Sequence, residues 1–566
     1  MHSLKNRSLI MPSNYDGQDF VTKTIHKRFP KYSADDVRKF LNPRIMDLAP
    51  DPSNLHHVRE MADMVLSANK IGVFIDYDVD GVSSGAMWSI FLHAISIEHF
   101  VYFPARADGY GPSKSAIDYF RQCECDLILF LDCGTTAADV IDNIHDIKTC
   151  VLDHHKPGNV IANTIIVNPY LHQQEEFYDI CTAGLSFLVI AFIEKRMIAN
   201  SSGQSSYKRI AMQLLDLAAL GTVADCMPLV GFNRACVKRG LEIIQQSPRL
   251  GIQALLNLTN KSNKINASTI GYYIASCLNA AGRLDTSRTA FDLLVATSYE
   301  SSVEIAQALV NLNNIRKQIE ADILILAEHQ ASAQNDDVLV VRHEDWHPGV
   351  VGIVAGRLKE GHCKTTFAFY KKHGAWHGSA RSSRHDLSAI IANGIKNGLI
   401  ASGGGHRAAA GLCVNEDQFH EWSKWIVKIT LEIDQAVVSG IICDDDRALE
   451  ADCHDRSPEV NRDYRALEID HIMNAGESLP SISILAPFGQ GNPNIRVLIQ
   501  GLILKCVTAH GEHLRLMFAN HPGSYFAFRC ANSWGRSLHN SIGQRLSIVL
   551  SVDDAQGGII EDVIVT

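Results

Sequence analysis

Four acidic or imidazole clusters constrain this chain more than any other feature: Asp76-Tyr77-Asp78-Val79-Asp80-Gly81, Asp132, Asp153-His154-His155 and Asp225. The first three follow short apolar runs, at residues 71–75, 127–131 and 150–152. Short continuous apolar runs read as strands buried on both faces, the habit of parallel sheets covered by helices. Ligands of such sheets bind beyond the carboxyl ends of the strands, so the clusters converge at one edge. Carboxylates gathered there repel one another unless a cation lies between them. The simplest physical account is a metal site holding two ions.

From residue 71 to 168 the pattern alternates. It predicts strand 71–75, helix 83–97, strand 100–104, helix 113–122, strand 127–131, helix 137–145, then strands 149–152 and 164–167. That is a doubly wound parallel α/β sheet. Helical segments follow at 183–198 and 212–223, and residues 287–333 keep helical periodicity with polar faces, which predicts a long connecting helix. A second, smaller α/β unit opens at 338–341 and runs past Gly403-Gly404-Gly405-His406. Beyond about residue 437, β-type runs at 497–504, 513–518, 525–529 and 545–552 predict a small β-barrel. The expected domains are 1–286 (catalytic, with an N-terminal extension), 287–333 (connecting helix), 334–436 (substrate-binding) and 437–566 (barrel).

At 566 residues the chain exceeds one core. A formal charge of −10 argues against a generally sticky nucleic-acid binder, yet permits a local basic channel on an acidic body. Fourteen cysteines without a CxxC pair read as buried thiols of a reducing compartment. The first 13 residues lack the apolar core of a signal peptide, and no run is long enough to span a bilayer. The expectation is a cytoplasmic monomer with no membrane contact.

The D-x-D-x-D-G run is not a calcium loop, since the twelfth position counted from Asp76 is Met87 and not a bidentate Glu. In a tight strand-to-helix turn Asp78 and Asp80 point to one side, Gly81 lets the backbone bend, and Ser83 and Ser84 lie where phosphate oxygens favour a helix N-terminus. Adjacent His154 and His155 leave a strand end in opposite directions, so one suits a metal and the other the substrate. Asp132 precedes the small-residue turn Cys133-Gly134-Thr135-Thr136, accessible enough to bridge two ions. Asp225 closes a helical run, where an anion is disfavoured by the helix dipole unless it has another task. Oxygen ligands with one or two imidazoles favour Mn²⁺ or Mg²⁺ over structural zinc, and two such ions suit in-line attack on phosphorus.

These four clusters, the last within Leu217-Ala-Ala-Leu-Gly-Thr-Val-Ala-Asp225, resemble the motifs of the DHH phosphoesterase superfamily. Three further segments are similar to the RecJ family of single-strand-specific 5′→3′ DNA exonucleases within it. They are Trp346-His-Pro-Gly-Val-Val-Gly-Ile-Val354, Gly378-Ser-Ala-Arg-Ser-Ser383 and Gly403-Gly-Gly-His-Arg-Ala-Ala-Ala-Gly411, the last resembling the glycine-rich signature of the DHHA1 domain. Pro487-Phe-Gly-Gln-Gly-Asn-Pro493 and Glu512-His-Leu-Arg-Leu516 resemble that family's oligonucleotide-binding (OB) barrel. Ala380 stands where the family has a glycine, and Gly356 where a serine is common.

The resemblance implies two divalent cations, Mn²⁺ or Mg²⁺, held by Asp78, Asp80, Asp132, His154 and Asp225, with Asp76 a ligand or directly behind one. It implies catalytic roles for Asp132, His154 and His155. Arg106, Asn279, Arg283, Ser379, Arg381, Gly404, Gly405 and His406 would bind the substrate, the arginines as forked donors to a 5′-terminal phosphate. The implied activity is release of 5′-mononucleotides from single-stranded DNA in recombination and repair, alongside a helicase and a single-strand-binding protein. A phosphodiesterase for very short oligonucleotides or cyclic dinucleotides would resemble only the first two domains. A non-enzymatic replication scaffold would have degraded ligand motifs, and a family II pyrophosphatase would lack the third domain.

Overall fold

The computed structural model describes residues 2–3, 8–10, 20–104, 111–158, 160–200, 210–259, 265–438, 466–475, 482–511, 513–521, 524–528, 530–552 and 558–565. The chain divides into two compact units, one of Met1–Ala49, Leu229–Lys238 and Asn461–Thr566, the other of Pro50–Pro228 and Arg239–Val460. Residues 1–49, expected to extend the catalytic domain, instead group with the barrel. Ile25, Val37 and Phe40 of their helices are buried in the barrel's own core with Leu502, Leu516 and Ile548.

After a helix at Val58–Ser67, the larger unit runs through β1 (Lys70–Ile75), α1 (Val79–Ala94), β2 (Glu98–Tyr102), β3 (Leu127–Leu131), β4 (Lys148–Leu152) and β5 (Ile165–Val167). These strands form one parallel sheet in the order β2-β1-β3-β4-β5. Strand order reverses between β1 and β3, the switch point at which open α/β sheets bind ligands. All of β3 is buried, as its unbroken Leu-Ile-Leu-Phe-Leu run requires. The helix expected over 137–145 shortens to Ala138–Ile141, behind a turn in which Gly134 adopts φ +109°.

Helices α2 (Thr182–Asn200), α3 (Leu215–Ala224) and α4 (Ala275–Leu284) follow in the same unit. The connecting segment contains two helices and not one. Arg288–Val295 stops short of α5 (Tyr299–Ser332), whose start Ser298 fixes by accepting from the Ser301 amide at 3.3 Å.

A second sheet follows: β6 (Val338–Arg342), β7 (Thr365–Lys372), β8 (Ala375–Arg381), β9 (Ser402–Gly405) and β10 (Ala409–Asn415). Its order is β9-β10-β8-β7-β6, with only the β6–β7 pair parallel; helix α6 (Val351–His362) makes that crossover.

In the other unit β11 (Ile495–His510), β12 (His513–Phe518), β13 (Ser524–Ala527), β14 (Arg545–Val552) and β15 (Gly558–Val565) close into a ring. β11 pairs with β12 and β14, β12 with β13, β13 with β15, and β15 with β14. A bulge between Ile499 and Leu502, with Gly501 at φ +72°, bends the long strand β11 so that it can serve two neighbours. This is the expected OB-type barrel.

Candidate active site

The site is built where β1, β3 and β4 end. Asp78 caps α1, accepting from the amides of Asp80 at 3.0 Å and Gly81 at 3.2 Å. Asp80, one residue inside α1, is buried against the N-terminus of α2, whose Thr182 and Ala183 amides donate to its two oxygens at 2.8 and 2.9 Å. Gly221 makes this approach possible, since a Cβ there would lie 2.5 Å from an Asp80 oxygen. On the other side, the Asn279 side chain of α4 accepts from the Val79 amide at 3.2 Å and so steadies the aspartate turn.

Asp132 leaves β3 with φ +64°, a left-handed conformation that costs energy for a residue bearing a Cβ. The turn directs its carboxylate back across the sheet edge, where the Thr182 hydroxyl donates to it at 2.9 Å. His154 is buried after β4, its Nε2 3.5 Å from Asp132, 3.5 Å from Asp225 and 3.9 Å from Asp80. His155 turns the other way, about one-third exposed, with Nδ1 on Asp153 at 2.8 Å and 3.9 Å from Asp132. Asp153 also accepts from the Thr135 hydroxyl at 2.6 Å and the His154 backbone amide at 2.8 Å, so it orients the His155 imidazole and fixes the backbone that carries His154.

Donor atoms of Asp76, Asp78 and Asp132 lie within 4.8 Å of one another, as do those of Asp80, His154 and Asp225, and those of Asp132, His154 and His155. Electrostatics agree with this layout. Burial, then the Asp78 charge, lifts Asp80 to about 6. Burial, then the charge of Asp80, holds Asp132 and Asp225 well above the usual carboxylate range. Burial alone would lower His155, but the Asp153 charge and hydrogen bond outweigh it and lift the imidazole to about 10. Without cations these carboxylates can stay close only by retaining protons. The oxygen-rich donor set fits two hard divalent cations, with Asp132 common to both neighbourhoods.

The substrate-binding candidates divide. Ser379 and Arg381 share one face of β8, and Gly352 near the start of α6 lets them approach: a Cβ there would lie 3.2 Å from the Arg381 guanidinium and 3.3 Å from the Ser379 hydroxyl. Arg283 donates to the Gly349 carbonyl at 3.1 Å, just before the same helix. The His406 ring lies 6.1 Å from that of His155 at an interplanar angle of 17°. A Cβ on Gly404 would touch nothing within 4 Å, and Gly405 takes φ +144°, so this exposed strand can present bare backbone to a ligand. Asn279 is committed through its oxygen to the aspartate turn, and Arg106 lies outside the described residues. Ser83 and Ser84 do not meet the phosphate expectation. Both are fully buried, without a hydrogen-bond partner among the described residues, and serve as small residues where α1 packs tightly.

Thr182 and Asp153 were not singled out as site residues by sequence reasoning. The signal for Thr182 was its place at the start of a buried apolar helix, where free amides attract a carboxylate. Asp153 belonged to a recognised motif, but its role as orienter becomes visible only in three dimensions.

A model of the DHH family, N-terminal domain, matches residues 70–222, and one of the DHHA1 domain matches residues 335–429. The single-stranded-DNA-specific exonuclease RecJ of Salmonella typhimurium is 33% identical over 398 residues, which cover 66% of this chain and 69% of the relative. Its namesake from Escherichia coli K12 is 31% identical, covering 69% of this chain and 72% of the relative. The chain belongs to the RecJ family. A solved RecJ bound to manganese aligns with TM-score 0.55 and 28% identity over 65% of this chain and 93% of that one. RecJ of Thermus thermophilus with Mn²⁺ aligns over 96% of this chain and 74% of that one, with TM-score 0.70 and 23% identity; it extends the shared fold through the barrel. No described helix of this RecJ-family chain is long and apolar enough to cross a membrane.

Proposed function

We propose that this protein removes 5′-mononucleotides one at a time from the 5′ end of single-stranded DNA, by hydrolysis at a pair of divalent cations, in recombination and repair. Family membership carries the coarser statement, that it is a metal-dependent, single-strand-specific DNA exonuclease. The observation that carries the finer one is the position of Asp132, shared by a carboxylate group (Asp76, Asp78) and an imidazole group (His154, His155).

Asp76, Asp78 and Asp132 would hold one Mn²⁺ or Mg²⁺, and Asp80, Asp132, His154 and Asp225 the other. When bound, the ions supply a nucleophile at neutral pH and stabilise charge on the phosphorane-like transition state. His155, kept cationic by Asp153 and open to solvent, donates to a phosphate oxygen or to the departing 3′-oxygen. Arg283, Ser379 and Arg381, gathered about the start of α6, bind the terminal phosphate, and His406 with the Gly404–Gly405 backbone holds the chain opposite His155. This geometry selects an end, because a terminal phosphate dianion offers more acceptor oxygens to the forked guanidinium groups than an internal diester.

The barrel carries a surface of its own on which bases can stack. Phe526 and Phe528 are 37% and 50% exposed, lie on one face of the chain at β13, and stack at 6.3 Å with His510 and His513 beside them. Phe488 and Tyr525, two further aromatics of this unit, are buried and belong to its core. A helicase that opens duplex and a protein that coats the exposed strand are the partners this substrate calls for.

The test is digestion of a 5′-phosphorylated single strand, the matching duplex and a cyclic dinucleotide by the full chain with Mn²⁺. Stepwise 5′-mononucleotide release from the single strand alone is expected. Faster turnover of the cyclic dinucleotide, or products from the 3′ end, would overturn the reading.

A further inference from the structure

Outside the catalytic cluster, three imidazoles meet on the larger unit. His56 and His57 immediately precede the helix Val58–Ser67, and His172 ends the helical turn Pro169–His172 that follows β5. One ring nitrogen from each falls within 4.8 Å of the others. The ring centroids of His56 and His172 are 3.5 Å apart, with planes at 25°, and those of His56 and His57 are 3.9 Å apart. Burial, followed by the charges of His57 and His172, lowers the His56 pKa and favours the neutral, lone-pair-bearing form.

The surroundings fix the rings as ligands would be fixed. His57 adopts φ +61°, and its Nδ1 lies 3.2 Å from the Ile166 carbonyl of β5. A carbonyl only accepts, so Nδ1 carries the hydrogen and Nε2 keeps its lone pair, the arrangement that orients metal-binding histidines. The His56 amide donates to Gln174 at 3.1 Å, and the Gln174 side-chain amide returns to the Asn54 carbonyl, clamping the two segments together. His56 and His172 are exposed, which leaves the remaining coordination position to water, with the Glu60 charge acting on His56 from the first turn of the helix.

We propose that His56, His57 and His172 bind one divalent cation of the zinc class at a site separate from the catalytic carboxylates. Three imidazoles and an open position suit a borderline d-block ion, whereas the oxygen-rich catalytic set suits Mn²⁺ or Mg²⁺. Zinc–nitrogen bonds are about 2.0–2.1 Å, so a bound ion would draw the three nitrogens closer than the 4.8 Å that bounds them here. The ion ties residues 56–57 to the turn headed by Asn168, which donates at 2.8 Å to the His155 carbonyl. The site therefore braces the segment behind His155 and takes no part in the chemistry.

The experiment uses the full chain saturated with Mn²⁺, dialysed against limiting Zn²⁺ and then analysed for both metals. Co²⁺ replaces Zn²⁺ in parallel, to read the visible spectrum of a four-coordinate site. Wild type and Asp132→Ala should each retain one Zn²⁺ per chain. The double variant His56→Ala/His172→Ala should lose it, or bind at least tenfold more weakly, and should lose the Co²⁺ band. In zinc-free buffer the double variant should keep its Mn²⁺-dependent cleavage, which shows that it is folded. Equal Zn²⁺ retention by the double variant, or loss of that Zn²⁺ in Asp132→Ala, would overturn the proposal.

Discussion

Arg234, in the unit that carries the barrel, and the aspartates of the catalytic unit are all buried charges, and their surroundings differ in kind. The Arg234 guanidinium lies 3.8 Å over the Phe40 ring and donates to the carbonyls of Phe40 at 2.8 Å, Leu485 at 3.0 Å, Ala486 at 2.7 Å and Pro487 at 3.2 Å. Burial lowers it to about 9, which still leaves it a cation at neutral pH. Asp80, Asp132 and Asp225, by contrast, stand among charges of their own sign, relieved in part by amides, the Thr182 hydroxyl and the neighbouring imidazoles. A buried charge whose donors are saturated by the chain holds elements together. A cluster of buried like charges keeps its remaining valence for something the chain does not supply. The first predicts stability effects without chemistry, the second chemistry without loss of fold.

The sharpest way to break that contrast is Asp132→Ala. Removing the carboxylate shared by both ligand groups should reduce cleavage by about 10²–10³-fold or more, while removal of a repelling charge leaves the melting temperature of the metal-free protein unchanged or higher. A folded, metal-loaded variant with near-normal turnover would end the two-ion reading. Arg234→Ala is the mirror experiment. Losing the guanidinium and opening its cavity leaves four carbonyls to find new partners, and should cost about 3–5 kcal/mol in denaturant unfolding. Per folded molecule, the rate on a very short strand should be unchanged. A large fall in that rate, with stability intact, would mean Arg234 is not the structural clamp its contacts describe.

Metal and pH together probe the catalytic side. Asp80, Asp132 and Asp225 have folded-state pKa values raised above their unfolded ones. Their contribution to stability is therefore complete below the unfolded value near 4 and is lost as pH rises through the folded values. The metal-free protein should accordingly weaken from about pH 4 through pH 6 and beyond. Cations neutralise the same charges, so Mn²⁺ should raise the melting temperature more at pH 8 than at pH 5; at a hundredfold excess over its dissociation constant a bound ion contributes about 2.7 kcal/mol of stability. Scanning calorimetry with and without chelator checks the sign. An equal effect of Mn²⁺ at both pH values would contradict repulsion as the property that the ions relieve.

Arg381→Ala should narrow the preference for a 5′-phosphate over a 5′-hydroxyl strand, since a charge-assisted hydrogen bond contributes roughly 1.5–3 kcal/mol. Equal loss on both substrates would assign Arg381 to holding the second sheet instead.

The catalytic edge was legible in the sequence because strand ends and turn residues are local properties. A buried run such as Leu-Ile-Leu-Phe-Leu followed by Asp132 needs no distant information to be read as a strand delivering a carboxylate. What stayed hidden depends on contacts between segments far apart in the chain. Thr182 serves two aspartates at sequence separations of 50 and 102 residues. The helices before residue 49 joined the barrel because Phe40 and the carbonyls around residue 486 meet at Arg234, more than 190 residues from either. The His56–His57–His172 cluster is likewise assembled across the chain. The break before α5 was missed for another reason: helical periodicity persists through Ala296 and Thr297, and only the capping Ser298 marks the interruption.

The smallest effect concerns the barrel, and it corrects an obvious experiment. Deleting residues 437–566 would take away the carbonyls that satisfy Arg234 and the core that buries Phe40, so any loss of DNA binding would be confounded with a loss of folding. Phe526→Ala/Phe528→Ala avoids this, because both rings are substantially exposed and neither is among the buried core residues. Stacking contributes about 1–3 kcal/mol per base. The double variant should thus bind a long single strand at least about tenfold more weakly. Its cleavage of a very short 5′-phosphorylated strand should be unchanged, since the ligand carboxylates belong to the other unit. Affinity is best measured across a salt series. Loss of stacking lowers binding at every salt concentration but leaves the slope with salt as it was, because no phosphate contact has been removed. A flatter slope would show that the barrel works through charge, with Arg515 at 5.8 Å from the Phe526 ring as the first residue to test; unchanged affinity would remove this aromatic face from the path of the DNA.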